Sequence, residues 1–289
     1  MTFAIAIDRL EAMLREDAPF GDLTTAALGL ADTPARAVLR AAGPMTVCCA
    51  EEAEALFRLA GCTEVRRLST SGAQLEAGST ILAAEGAAAP LHAAARVAQA
   101  LLETASGVAT RAARLRTLAR QIRAEVALAV APRHLPGARD VLFKAATAGG
   151  CPPLRFGLSD SLLVCALQRG FLGREPPHLW VSRLRAASPG RSLAVEVGGV
   201  DEAVQLAHAG VDLLQGTNLS PEQIGEVRRA LSGHPRPPLL AATGVDEANI
   251  AAFTRAGADL LITVAPFAAP PLPVSITLDR PARRTAEPD

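Results

Sequence analysis

The sequence predicts an α/β protein: a small mixed α/β region followed by a parallel sheet closed, or nearly closed, into a barrel. Three observations predict it. From about residue 125 short apolar runs alternate with helical stretches, the rhythm of strands joined by crossover helices. Two links, His208-Ala-Gly210-Val-Asp212 and Arg255-Ala-Gly257-Ala-Asp259, repeat one device in which a Gly ends a helix and an Asp opens the next strand. The first third lacks that rhythm and mixes helical and strand patterns around turns.

Ile7 to Arg15 places Ile7, Leu10, Met13 and Leu14 on one helix face. The segment Glu16-Asp17-Ala-Pro-Phe-Gly21-Asp22-Leu-Thr24-Thr25 reads as a turn, with Asp22, Thr24 and Thr25 in capping roles. Ala35 to Ala50 carries strand-type residues on either side of Gly43-Pro44, with Cys48 and Cys49 as small hydrophobes in a strand. Cys62 to Ser69 and Ile81 to Glu85 are further strands. Leu91 to Ala119 reads as two consecutive helices, or one bent helix, interrupted near Ser106-Gly107. Then come a strand at Val126 to Ala131 and a helix at Ala138 to Ala148, preceded by Pro136-Gly137 and stopped by Gly149-Gly150. Buried strands follow at Leu162 to Ala166, Leu193 to Val197, Val211 to Gln215, Leu239 to Ala242 and Asp259 to Val264. Helices at Val200 to Ala209 and Pro221 to Leu231 lie between the later ones, which leaves room for about six or seven strands. The tail from Arg280 to Asp289 is polar and is expected to fray.

Composition narrows the function classes. The chain has 289 residues with 29 basic and 29 acidic side chains, a formal net charge of zero. That excludes a general nucleic-acid binder, and the absence of Tyr and the single Trp remove base-stacking platforms. No apolar run is long enough for a membrane span, and Met1-Thr2-Phe3 and the residues after it meet Asp8 with no basic leader. The five cysteines, Cys48, Cys49, Cys62, Cys151 and Cys165, form no CxxC pair, so neither a disulfide framework nor a zinc knuckle is expected and a reducing cytoplasm fits. Of the 29 basic residues, 28 are Arg; Lys144 is the one lysine.

In a β/α barrel the chemistry sits at the carboxyl ends of the strands and in the loops after them. The polar groups there are Arg133 and His134 after the first barrel strand, Arg155 after the double glycine, Glu196, Thr217 and Asn218, then Thr243-Gly244 and Thr263-Val-Ala265-Pro266. Small residues after the last strands let backbone N–H groups approach a phosphate closely. The pattern points to an anionic substrate with a phosphate handle.

Several of these residues stand in motifs that resemble the quinolinate phosphoribosyltransferases, also called carboxylating nicotinate-nucleotide pyrophosphorylases. Glu16 to Thr25 is similar to that family's ED-x-x-x-GD-x-TT signature, and Leu101-Leu-Glu-Thr-Ala-Ser106-Gly107-Val-Ala-Thr110 to its NLLQ-x-x-SGIAT helix. Pro136-Gly137-Ala-Arg139, Gly149-Gly150 and Arg155-Phe-Gly157-Leu158 follow its PGLR…GGG-x-NHR-x-GL block without a gap. Within the family, the position of Lys144, Pro153, Ser220-Pro221-Glu222-Gln223 and the segment from Thr263 to Pro271 resemble the ModD branch, encoded near molybdate-transport genes.

The resemblance implies a type II phosphoribosyltransferase fold: an N-terminal α/β domain over 1–110, an incomplete seven-stranded barrel over 111–269, and a terminal segment, 270–289, that packs back on the first domain. It implies a homodimer or higher oligomer in which Arg96 serves the neighbour's site. It implies transfer of phosphoribose from phosphoribosyl pyrophosphate to an aromatic carboxylate, with Mg²⁺ carrying the pyrophosphate. The implied catalytic residues are Glu196 and Lys144; the implied substrate-binding residues are Arg96, Arg133, His134, Arg155, Thr243, Gly244, Thr263 and Ala265.

The chain also departs from the family pattern. Arg133 takes the place of a site lysine and Pro132 that of a carboxylate-clamping arginine. Leu154, Cys165, Ala194 and Thr217 stand where the family has His, Lys and two acids, and Thr243-Gly244 stands for a double glycine. Loss of one donor at a developing charge costs about 3–4 kcal/mol, so these changes together predict an altered acceptor and little quinolinate turnover. A non-catalytic anion-binding accessory protein, linked to molybdenum handling, is the alternative. Arg133 and Arg155 are read as anion contacts, and Lys144 as a site needing a compact point charge, such as one on a phosphate. Glu196 is open between an ion pair with a barrel arginine and a ribose or metal contact, and Arg96 between a substrate contact and an interface pair.

Overall fold

The computed structural model describes residues 4–280, so the expected fraying tail beyond Arg280 and the opening Met1-Thr2-Phe3 lie outside the described residues. In chain order the elements are α1 (Ile7–Asp17), α2 (Leu23–Ala27), β1 (Pro34–Ala41), β2 (Met45–Thr46), α3 (Ala50–Leu59), β3 (Glu64–Arg67), β4 (Gln74–Leu75), β5 (Thr80–Ala87), α4 (Ala88–Ile122) and β6 (Ala127–Val130). Then follow α5 (Arg139–Ala148), β7 (Leu162–Val164), α6 (Ala166–Arg169), α7 (Pro177–Ala187), β8 (Leu193–Val197), α8 (Val200–His208), β9 (Leu213–Gly216), α9 (Pro221–Ala230), β10 (Leu239–Thr243), α10 (Ile250–Arg255), β11 (Leu260–Thr263) and β12 (Val274–Asp279). The chain divides into two compact units. One holds residues up to Arg111, Pro136–Gly149 and those from Ala268; the other holds Ala112–Leu135 and Gly150–Phe267.

The first unit is built on an antiparallel sheet in the order β12-β1-β5-β3. Alternation sets its inner face: Ala35, Ala37, Leu39 and Ala41 of β1 are buried while Arg36 stays outside. The terminal strand β12 runs along β1 from Arg36↔Asp279 to Ala41↔Val274. Helix α3 packs on α1, β3 and β5 and buries Leu56 and Phe57 completely. Asp22 caps α2, accepting hydrogen bonds from the Thr24 and Thr25 amides and from the Thr25 hydroxyl at 2.6 Å, the capping role expected of these residues.

Two local expectations are corrected in this unit. The strand expected to reach Ala50 stops at Thr46; Cys49 turns the chain with φ 64° and precedes α3, so Cys48 and Cys49 are buried but not in a strand. No interruption occurs at Ser106-Gly107, because α4 is one helix of 35 residues. The glycine serves packing instead: a Cβ there would collide with the carbonyl oxygen of Pro270.

The second unit carries a parallel sheet in the order β6-β11-β10-β9-β8-β7, and a single parallel bridge from Val130 to Pro153 extends it by one more segment beyond β6. Six strands plus that bridge are the incomplete seven-membered barrel. The sheet curls on itself, since Leu163 of β7, Ala194, Leu213, Ala241 and Ile262 share one interior cluster with Ala131 and Leu154 from the opposite edge. The repeated glycine–aspartate links have a concrete function. Gly210 and Gly257 adopt φ +87° and +93°. Asp212 then accepts the amide of Leu193 at 2.7 Å, and Asp259 that of Leu240 at 2.8 Å, so each carboxylate caps the amino end of the neighbouring strand. Arg185 and Arg228 each bind the corresponding glycine carbonyl and aspartate. Burial raises the Asp212 carboxyl, but its Arg185 and Leu193 hydrogen bonds outweigh that and hold it below the usual range.

Candidate active site

The carboxyl ends of the six parallel strands carry one ionisable group, Glu196 of β8. Period-2 alternation places it on the inner face, two residues beyond the interior Ala194. Gln215 of β9 is its register partner, two residues beyond the interior Leu213, and Ala241 of β10 is the next partner. Thr243 continues that inner face on β10. Glu196 Oε2 accepts the amide of Ala166 at 3.1 Å, which anchors the start of α6. This half-buried carboxylate therefore makes neither the barrel-arginine ion pair nor any other ion pair among the described residues.

Gln215 is the residue the sequence reading missed. It is 9% exposed, and its Oε1 is buried with no hydrogen-bond partner among the described residues. The signal was present: a polar residue at the inward position of an otherwise apolar strand.

Two arginines lie on adjoining segments at this end of the sheet. Leu154 donates its amide to the Val130 carbonyl at 2.9 Å, which sets the chain leading into Arg155 beside the one leading into Arg133. Arg133 is exposed and Arg155 half-buried; neither has an ion pair or a side-chain hydrogen bond among the described residues, and Arg155 Nε is buried without a partner. His134 sits next to Arg133, its Nδ1 3.0 Å from the Leu135 carbonyl oxygen and its ring edge-on to Phe267.

The small-residue loops are more self-contained than expected for a phosphate cradle. Thr243 donates its hydroxyl to the Gly216 carbonyl at 2.7 Å. The buried Thr263 donates to the Val245 carbonyl at 2.6 Å and accepts the Ala265 amide at 3.0 Å. The Thr263 hydroxyl and the Ala265 N–H are thus committed internally, contrary to their expected substrate contacts. Gly244, at φ +72°, has open space around its Cα. Cys165, expected within the buried strand Leu162 to Ala166, is half-exposed and precedes α6, since β7 ends at Val164.

Lys144 and Arg96 belong to the first unit. The Lys144 ammonium is 4% exposed and bonds both carboxylate oxygens of Glu52 at 2.6 Å and Glu51 Oε2 at 3.2 Å. Burial lowers its proton affinity, but the Glu52 hydrogen bond and charge outweigh that and raise its pKa. Three acceptors use the three N–H groups, so the expected catalytic or phosphate-binding role gives way to a buried ion-pair cluster. Arg96 is exposed, bonds Gln99 Oε1 at 3.1 Å, and lines an open groove of about 660 Å³ with Glu16, Asp17 and Glu103.

The implied Mg²⁺ does not fit a protein-built site. Among the described residues no group of three or more His, Cys, Asp and Glu side chains is placed to hold a metal ion. The inner face offers one carboxylate, already engaged by a backbone amide, whereas Mg²⁺ asks for octahedral oxygen donors.

Comparison with known proteins agrees with this architecture. The model for the quinolinate phosphoribosyl transferase N-terminal domain matches residues 22–106, and that for the C-terminal domain matches 108–277. The chain belongs to the quinolinate phosphoribosyltransferase family. Within it the chain is ModD-like: it is 40% identical to the "Putative pyrophosphorylase ModD" of Rhodobacter capsulatus over 88% of this chain and 98% of that one. It is 31% identical to the protein of the same name from Pasteurella multocida, over 94% and 97%. Among solved structures it resembles NadC from Streptococcus pyogenes, with a TM-score of 0.84 and 25% identity over 94% and 95% of the two chains. The nicotinate-nucleotide pyrophosphorylase of Francisella tularensis shares the fold, with a TM-score of 0.86 at 22% identity over 96% and 98%.

Proposed function

We propose that this chain is a phosphoribosyltransferase whose acceptor differs from quinolinate: it transfers phosphoribose from phosphoribosyl pyrophosphate to an aromatic carboxylate. The observation that carries this reading is the pair Arg133 and Arg155, two guanidinium groups on adjoining segments without internal counter-ions. A buried donor without a partner costs about 1–3 kcal/mol, and an anionic ligand supplies what is missing. Guanidinium groups suit carboxylate and phosphate geometry through paired hydrogen bonds. In the transfer, the bond from the sugar C1 to the pyrophosphate oxygen breaks, pyrophosphate leaves with the electron pair, and an acceptor nitrogen forms the new bond to C1. In this reading Glu196, the one ionisable side chain on the six parallel strands, orients the ligand or favours positive charge developing at C1. Arg133 and Arg155 clamp the anion, with His134 and Gly244 at the same end of the sheet.

The test is titration calorimetry with phosphoribosyl pyrophosphate, then pyrophosphate release with a panel of aromatic acids. Arg133→Ala and Arg155→Ala should each weaken binding about tenfold or more. Unchanged affinity in both variants refutes the reading. A second reading, a non-catalytic anion-binding accessory protein that serves molybdenum handling, is favoured by the internal commitment of Lys144, Thr263 and Ala265. Molybdate binding without any pyrophosphate release selects it. Homodimer formation is part of the first reading and is supported by exposed Phe156, Leu158, Leu167 and Phe171 in the second unit. Light scattering on the same preparation tests it.

A further inference from the structure

The inner face at the carboxyl end of the sheet is rich in acceptors and carries no cation. Glu196 brings a carboxylate, and Gln215, its register partner, brings a buried carboxamide oxygen without a partner. The Thr243 hydroxyl, on the same inner face, donates to the main-chain carbonyl of Gly216, so it offers a ligand lone pairs rather than a proton. The remaining inner positions, Ala194, Leu213, Ala241 and Ile262, are apolar. A ligand carboxylate or phosphate placed on that wall would face Glu196 with no neutralising partner, which is unfavourable in a partly desolvated site. The free guanidinium groups stand elsewhere, on the segments that follow Val130 and Pro153. The two chemistries are therefore divided between different strands of one barrel end.

We propose that Gln215 is a specificity-determining residue: with Glu196 it receives the hydrogen-bond donors (O–H or N–H) of a neutral, donor-bearing part of the ligand, while the ligand's anionic part is held by Arg133 and Arg155. This rests on the phosphoribosyl-transfer reading and sharpens it. The donors belong either to the sugar or to a hydroxyl or amino substituent on the aromatic acceptor. A site built around a buried acceptor rejects the analogue that lacks the donor, because the protein group is then left unpaired.

The experiment uses the full chain and two probe pairs in titration calorimetry: ribose 5-phosphate against 2-deoxyribose 5-phosphate, and 3-hydroxybenzoate against benzoate. The wild-type protein should prefer the donor-bearing member of at least one pair by about tenfold, and the pair that responds identifies the source of the donor. In Gln215→Met, which keeps the side-chain length and removes the polar atoms, that ratio should collapse to about one while affinity for the donor-lacking member stays the same. Gln215→Glu, which keeps an acceptor at the position, should preserve the preference for the donor-bearing member. A ratio that survives in Gln215→Met overturns the assignment, as does a wild-type protein that binds phosphoribosyl pyrophosphate but discriminates within neither pair. Failure of the wild-type protein to bind phosphoribosyl pyrophosphate overturns the transfer reading itself, and with it this one, so the two failures are distinct. Circular dichroism of each variant establishes that it is folded; a purely structural Gln215 would change stability and leave both ratios intact.

Discussion

Replacing Lys144 by Met should destabilise the protein by about 3–5 kcal/mol, the range for removing one partner of a buried ion pair. The size follows from what stays behind. Glu52 is 5% exposed and loses its only cationic partner among the described residues, bonded at 2.6 Å through both oxygens. Glu51 suffers less, because it keeps Arg67 at 3.4 Å and the Ser71 amide at 2.9 Å. Adding Glu52→Met should therefore restore part of the loss, since no deeply buried charge then remains. Lys144→Arg keeps the charge but should still cost about 1–3 kcal/mol, because the planar guanidinium is bulkier than the space around a 4%-exposed ammonium. Urea unfolding followed by circular dichroism measures all three. A cost below about 1 kcal/mol for Lys144→Met refutes the buried-pair account, as does a double variant that is worse than the single one.

The same cluster sets an acid response: burial raises the Glu51 carboxyl, but the Ser71 hydrogen bonds and Lys144 outweigh that and bring it down to about 2. A folded-state pKa below the unfolded value means stability that is fully present above the ordinary 4.5 and lost as pH falls toward 2. Its share should be about 1–2 kcal/mol after discounting for a side chain one-third open to solvent, and a Ser71→Ala variant should flatten that limb of the pH–stability curve. Gly107→Ala should cost about 1–3 kcal/mol, because its methyl group meets the Pro270 carbonyl and not a flexible side chain; an unchanged melting temperature would contradict that contact. Asp259→Ala removes the cap on the Leu240 amide and should cost about 1–3 kcal/mol in thermal unfolding. As Asp259 sits at the amino end of its strand, ligand affinity should stay unchanged.

Much of the fold was legible in local pattern. Apolar runs of strand length, separated by helices that end in Gly210 or Gly257, specify a parallel sheet because only a crossover helix returns the chain to the same edge. Asp22 announced itself as a cap through Thr24 and Thr25. The start of α3 did not, because nothing local distinguishes Cys49 turning the chain at φ 64° from Cys49 continuing a strand. The 35-residue α4 was equally ambiguous at Ser106-Gly107, where Gly107 is required by a neighbour more than 160 residues later in the chain.

For the site, sequence motifs located the strand ends and selected Arg133, Arg155 and Glu196, since a motif fixes position along the chain. What each polar group does there was settled only by its partners. Lys144 drew attention as the one ammonium in an arginine-rich chain, but its meaning depends on Glu51 and Glu52, some ninety residues earlier in sequence. Thr263 and Ala265 looked like phosphate ligands until the fold closed their hydrogen bonds on one another and on Val245. Gln215 passed as a strand residue until its register beside Glu196 left a buried acceptor unsatisfied. The sequence by itself determined the periodicities, the turn chemistry and the family motifs, because these are properties of neighbouring residues. Tertiary structure alone decided which polar atoms are spent inside the protein and which remain for a ligand, because that balance is struck between groups brought together across long stretches of chain.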